Sequence, residues 1–249
     1  AAQFAKVLTC HAMRHGGVIS EQQALPWHYG REFDQSGNER FTESYDSLVR
    51  NDPFAAKSRL LSIICSTKRK RDGHRKRHEF VSSLEQASLP GLDIFGKGRA
   101  KEAACKRDAI APYKYHIVLE NSECADYWTE KLADAYLGGA FPFYWGCPNI
   151  EKYFPEGAFA RIDIERPEEA VRTIMATIEQ RTYERSLPLL REARDRVLNG
   201  YNLFPAIVSL LRALPYEPPA AVTLRPEESF TLRGRIRRLR MLFRAQSSR

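Results

Sequence analysis

The chain has 249 residues, 43% of them apolar and 28% charged, with a formal net charge of +8. That length and balance suit one large α/β domain or two small ones, and they exclude a collagen-like fibre, a disulfide miniprotein and wholesale disorder. The charge favours anionic partners, whether nucleic acid, phosphate-bearing ligands or an acidic membrane face. No apolar run reaches about 18 residues, so no membrane-spanning helix is expected. The opening AAQFAKVLTCHAM has no basic head followed by an apolar stretch and so does not read as a signal peptide; the missing initiator Met suggests a fragment or a processed form. The cysteines, Cys10, Cys65, Cys105, Cys124 and Cys147, are scattered without a CxxC pair. This argues against a zinc ribbon and for reduced thiols in a cytosolic protein.

Residues 1–56 read as irregular: FAKVLT as a short strand, then polar, turn-rich sequence (HGG, PWHYG, DQSGN) that cannot build a core alone and should lean on something else, for instance an absent upstream domain. From Lys57 the pattern sharpens. SRLLSIICS (58–66) is a buried strand, EFVSSLEQA (79–87) a helix, LDIFG (92–96) a short strand and YKYHIVLEN (113–121) a long one. TEKLADAYLGG (129–139) reads as a helix with Thr129 at its N-cap and Gly138–Gly139 beyond its end. FPFYWG (141–146) is a strand leading into the loop CPNIEKYFP, and FARIDI (159–164) is another strand. PEEAVRTIMATIEQR (167–181) starts a helix on Pro and stripes it with Ala170, Val171, Ile174 and Ile178; two more helical segments cover about 183–199 and 204–214. A Pro-rich linker (215–228) leads to a basic tail. Strands alternating with helices predict a parallel sheet with helices on both faces, which binds ligands at the carboxyl ends of its strands.

Three constellations fall at such ends. STKRKRDGHRKRHEF follows the strand at 58–66 and crowds Lys68, Arg69, Lys70, Arg71, Arg75, Lys76 and Arg77 together. Arg77, three residues before Phe80, is expected at the start of the helix, where a guanidinium and a positive helix end would both face a phosphate. The plainer reading is a solvated face. LENSECADYWTEKLADA (119–135) spans strand end, loop and helix start. Lys131 in the first helical turn opposes the dipole preference, which suggests a negative ligand opposite it; Glu130 could accept from sugar hydroxyls, with Asn121, Ser122 and Tyr127 nearby. Here the plainer reading is a capped helix with a surface Glu–Lys pair. FPFYWGCPNIEKYF (141–154) is either core plus turn or a wall of the pocket. Dinucleotide, Walker, nucleophile-elbow and HExxH motifs are absent, and His74 and His78 lie in a basic segment that repels metal ions, so no metal site is expected.

RKRHEF after a buried strand, YKYHIVLENS, DYWTEKLADAYL and PFYWGCPNIEKYFP together resemble the α1,3-fucosyltransferases of glycosyltransferase family 10, over roughly residues 57–212. The resemblance implies a GT-B architecture of two Rossmann-like domains. On that scheme 1–56 is the remnant of an N-terminal acceptor domain and linker, apparently truncated; 57–214 is the donor-binding domain, and 215–249 is the linker and basic amphipathic tail. It implies transfer of L-fucose, with inversion, from GDP-fucose to a hydroxyl of an N-acetylglucosamine- or glucose-containing glycan, with no cofactor. Carried over by motif, Arg77 and Lys131 would contact the diphosphate; Asn121, Tyr127 and Glu130, with Ser122 and Thr129, would line the site for nucleotide and fucose; Arg77, Glu130 and Lys131 are the expected catalytic set. The family's general base lies in its N-terminal domain; Glu21, Glu32 and Asp34 are candidates by residue type alone. Two alternatives stay open: a transferase using another nucleotide sugar, and a nucleic-acid binder using 68–78 and 233–244. The second lacks interleaved aromatics, Phe243 excepted, so no nucleic-acid partner is expected. In 230–246, Leu232, Ile236, Leu239 and Phe243 align on one helical face amid six arginines, which predicts docking on an anionic membrane. The expected location is cytoplasmic, peripheral on the inner membrane face in a bacterium, or the Golgi lumen in a eukaryote.

Overall fold

A computed structural model describes residues 7–213, apart from 12, 14, 15, 23–25, 35, 56 and 68–71. The stretch before Lys57 holds more regular structure than its sequence suggests. β1 (Val7–Thr9) pairs in parallel with β2 (Val18–Ser20), and β3 (Arg31–Phe33) pairs antiparallel with β4 (Glu39–Phe41). Three-residue strands are too short for an alternation to show. The β3–β4 turn closes on Asp34, whose carboxylate accepts from the Ser36 and Asn38 amides. Helix α1 (Tyr45–Arg50) begins with a capping box in which Ser44 and Ser47 satisfy one another's amides. This stretch leans on the main sheet: Tyr29, Leu48 and Phe54 are buried in the same cluster as its strands.

That sheet has five parallel strands: β5 (Arg59–Ile64), β6 (Leu92–Phe95), β7 (Tyr113–Leu119), β8 (Phe141–Trp145) and β9 (Ala160–Arg161), in the order β6-β5-β7-β8-β9. Its connections carry α2 (Asp72–Gln86), α3 (Lys106–Ile110) and α4 (Glu130–Leu137); α5 (Pro167–Glu179), α6 (Thr182–Arg185), α7 (Leu187–Asp195), a π-helical turn at Arg196–Gly200 and α8 (Leu203–Arg212) follow. The fold is the predicted Rossmann-like parallel sheet flanked by helices. A central strand is covered on both faces, so β7 reads as a near-continuous apolar run. Tyr115, Ile117, Phe141, Phe143, Leu61 and Ile63 are all within 1% of full burial, each contributing about 1.5–3 kcal/mol. Of the two polar residues of β7, Lys114 is half-buried and reaches Glu184, and the buried His116 is satisfied by Ser62 Oγ at 2.8 Å.

Two elements differ from expectation. The predicted strand 159–164 is regular only at Ala160–Arg161, because Asp163 turns the chain by accepting from the Glu165 amide. The helix predicted over 79–87 starts at Asp72. Its first two turns, DGHRKRHE, carry no apolar stripe for periodicity to detect, although Lys, Arg and Glu are good helix formers. Helix α5 keeps its predicted stripe, with Ala170 and Ile174 buried and Val171 and Ile178 packed beside them.

Candidate functional site

In the strand order β6-β5-β7-β8-β9, the chain leaves β5 and β7 toward opposite sides, which opens a crevice at their carboxyl ends. Two loops meet there. Gly73, in the first turn of α2, lies so close to the second loop that a Cβ on it would fall 2.1 Å from the Asn121 carbonyl oxygen. Arg77 is one turn further along. It is not at the helix start, as predicted, because the helix begins five residues earlier; its Nε donates to the Gly73 carbonyl at 3.1 Å and its Nη1 to that of Leu119 at 3.5 Å. The guanidinium therefore bridges α2 and the end of β7. Of the basic run, Lys68–Arg71 lie outside the described residues, and Lys76 is paired with Glu165.

The second loop is organised by a residue the sequence reading did not single out. Glu120 directly follows β7, with its side chain fully buried. It accepts from the Thr129 amide at 2.8 Å, the Thr129 hydroxyl at 2.7 Å and Lys131 Nζ at 3.2 Å. Thr129 is the predicted N-cap of α4, with its Oγ1 accepting from the Lys131 amide. Its hydroxyl is engaged by Glu120 and Lys131, and the residue is buried. The negative group opposite Lys131 is also the protein's own. Burial pulls the Lys131 ammonium down, but Glu120 and Glu130 outweigh it and hold its pKa above the ordinary lysine value. Burial pushes Glu120 up.

Glu130 sits at the hub of the charged cluster, 3.3 Å from Lys131, 3.7 Å from Lys106 and 3.9 Å from His28. Burial raises its pKa, yet Lys131, Lys106 and His28 together bring it down to about 2, so it stays ionised. Lys106 is anchored by the fully buried Asp134 at 2.7 Å, which also accepts from the His28 amide. Burial and then Lys106 hold His28 below the usual histidine range. Burial, Lys106 and Lys57 bring His116 to about 3, so it is neutral. Glu130, Lys131, Lys106, Asp134 and His116 line a cavity of about 130 Å³ at this edge. A wider hollow of about 390 Å³ lies at the ends of β8 and β9, among Glu123, Trp145, Arg161, Asp163, Glu165 and Glu169.

Asn121 and Ser122 are exposed at the mouth of the loop, and Tyr127 is half-buried. The FPFYWGCPNIEKYF segment supplies the loop's foundation. Asp126 holds a left-handed backbone (φ 60°) and takes hydrogen bonds from Asn149 Nδ2 (2.9 Å), Lys152 Nζ (3.1 Å) and the Tyr153 hydroxyl (2.6 Å), while Asn149 Oδ1 accepts from its amide. The three base candidates have other partners: Glu32 is paired with Arg40 and Arg107, Asp34 closes the hairpin, and Glu21 lies 3.8 Å from Lys152. None of them lines the cavity at Glu130. Sequence reasoning missed Glu120, Lys106, Asp134 and His28. The available signal was acidic residues inside apolar runs: Glu120 closing YKYHIVL, and Asp134 between two buried alanines.

Fold and site define a doubly wound α/β domain whose cations and carboxylates converge at the switch point. The chain belongs to glycosyltransferase family 10: the family's pattern, "Glycosyltransferase family 10 (fucosyltransferase) C-term", matches residues 54–185. The chain is 40% identical to α-(1,3)-fucosyltransferase 4 of Mus musculus over 78 residues, 29% of this chain and 18% of that protein. It is 26% identical to α-(1,3)-fucosyltransferase 7 of the same species over 175 residues, 68% and 43% of the two chains. A crystal structure of an α1,3-fucosyltransferase with GDP superposes with a TM-score of 0.48 at 15% identity, covering 81% of this chain and 72% of that one. The chain thus spans less than half the length of these two curated relatives.

Proposed function

We propose that this chain is the donor-binding part of an inverting α1,3-fucosyltransferase of GT-B type, which takes L-fucose from GDP-fucose to a hydroxyl of an N-acetylglucosamine- or glucose-containing glycan. One observation carries the reading: the family match covers the two loops that meet at the switch point, where Arg77, Lys131 and ionised Glu130 gather at one sheet edge. The leaving nucleoside diphosphate gains negative charge as the glycosidic bond breaks. Arg77 and Lys131, with the N-terminus of α4, neutralise it without a bridging metal. The Lys131 ammonium makes its longest contact with Glu130, at 3.3 Å, and that is the bond a phosphoryl oxygen most readily replaces. Glu130, held as a carboxylate, faces the positive charge that develops on the sugar or accepts from its hydroxyls. Asn121, Ser122 and Tyr127 complete the donor loop. Deprotonation of the attacking hydroxyl needs a base, which we place outside the cluster at Glu130.

Calorimetry on the full chain with GDP, UDP and single-stranded RNA tests this. GDP is expected to bind, and Lys131→Ala and Arg77→Ala each to weaken it by at least about tenfold, or 1.4 kcal/mol. Arg77→Ala leaves the buried Glu120 paired, so it separates lost binding from lost folding. Preference for UDP would instead support another nucleotide sugar. Tight RNA binding without GDP binding would refute the assignment.

A further inference from the structure

We propose that Cys10, His11 and Cys124 form a site for a thiophilic divalent metal of the zinc class, which clamps the β1–β2 unit onto the loop carrying Asn121 and Tyr127. The Sγ atoms of the two cysteines and a ring nitrogen of His11 all lie within 4.8 Å of one another. Bonds of about 2.3 Å to sulfur and 2.0–2.1 Å to nitrogen around a tetrahedral ion put ligand atoms about 3.5–3.8 Å apart. From separations of up to 4.8 Å, the ligand atoms need to close by about 1 Å to reach that geometry. Both cysteines are thiols, and the Cys124 thiol points at Cys10, donating to its carbonyl at 3.7 Å.

The ligands sit on braced backbone. The His11 amide donates to Thr9 Oγ1 at 3.1 Å, which fixes the turn leaving β1, and β1 is held by its pairing with β2. On the other side, Cys124 is two residues from Asp126, which Asn149, Lys152 and Tyr153 hold. Cys10 is buried, Cys124 half-buried and His11 exposed. Three protein ligands with an exposed imidazole leave the fourth position to water or a solvent anion. Two thiolates neutralise the ion's charge as their protons pass to solvent. The sulfur and imidazole set selects zinc, cobalt or copper over calcium and magnesium, which require oxygen. Sequence spacing did not disclose the site because Cys10 and Cys124 are 114 positions apart and meet only in the fold.

The full chain, reduced and stripped of metal, is titrated with Co²⁺ and then Zn²⁺. We expect one equivalent of Co²⁺ with thiolate-to-metal charge-transfer absorption in the near ultraviolet, displaced by Zn²⁺. The band should be absent in Cys10→Ser and Cys124→Ser, and the affinity should fall at least about tenfold in His11→Ala, since even outer-shell partners of a bound metal are worth that much. Should Cys10→Ser fail to fold, the half-buried Cys124 and exposed His11 variants still decide. Bound cobalt without a thiolate band, or a band that survives in Cys124→Ser, overturns the site. The spectrum requires no nucleotide, so its failure and the failure of GDP binding are read separately. Because Asp126 braces the loop by itself, Zn²⁺ should raise the thermal midpoint of the parent but not of Cys124→Ser, and chelation should leave GDP binding in place.

Discussion

Glu120 shows how one side chain supports the charged cluster. Its carboxylate binds the amide and hydroxyl of the N-cap residue and the first-turn lysine at once, so the start of α4 and the position of Lys131 follow from it. Gly146, at φ 151°, makes room for it; a Cβ there would lie 2.5 Å from Glu120 Cγ. Removing one partner of a buried ion pair leaves the other charge uncompensated, at a cost of about 3–5 kcal/mol. Glu120→Ala should lose that much in chemical denaturation, and Glu120→Gln, which keeps an acceptor for the Thr129 amide, distinctly less. A loss within about 0.5 kcal/mol, as expected of an ordinary surface substitution, would mean that Lys131 does not depend on it. The residue was readable only as a polar end to an apolar strand. Its partners nine and eleven positions away could not be inferred without knowing that the loop folds back.

At the scale of elements, the crevice depends on how closely α2 approaches the loop after β7. Ala is favoured over Gly inside a helix by about 1 kcal/mol, so Gly73→Ala would stabilise an isolated α2. The contact with the Asn121 carbonyl reverses that sign, because a Cβ at 2.1 Å from a backbone oxygen must move the helix. Overpacking of this kind costs about 1–3 kcal/mol. Gly73→Ala is therefore expected to lower stability and weaken GDP binding, whereas Gly200→Ala, with nothing within 4 Å of its Cβ, should not alter GDP binding. Titrating both variants against GDP checks this; equal affinity would separate α2 from the site. The existence of the strands and of α4 and α5 was legible, since each buries a strong apolar pattern. The onset of α2 was not, because exposed charged residues form helix without periodicity. The β3–β4 hairpin was equally silent: Phe33 and Phe41 are exposed, so burial left no alternation there.

For the molecule as a whole, the net charge of +8 is concentrated partly in 229–249, beyond the described residues. The membrane reading of 230–246 stands as a proposal from sequence. Each basic residue near anionic lipid contributes about 1 kcal/mol, so six arginines suffice for reversible docking while four apolar side chains enter the interface. The full chain should co-sediment with anionic vesicles at low salt, release at high salt and ignore neutral vesicles, and a chain ending at 228 should stay in solution. Equal binding by both chains would remove the tail from the account.

The sequence by itself determined what depends on local pattern: the α/β class, the strands of the main sheet, the N-cap at Thr129, and a family membership carried by short contiguous motifs. Those signals are local because backbone propensity, capping and apolar periodicity act over a few residues. Tertiary structure alone decided what each polar residue faces. It paired Lys131 with Glu120, turned the Thr129 hydroxyl to Glu120, tied Asp126 to Asn149 and Tyr153, and brought Cys10 beside Cys124. Charge pairing and ligand geometry act through space over a few ångströms, and only the folded chain sets those distances.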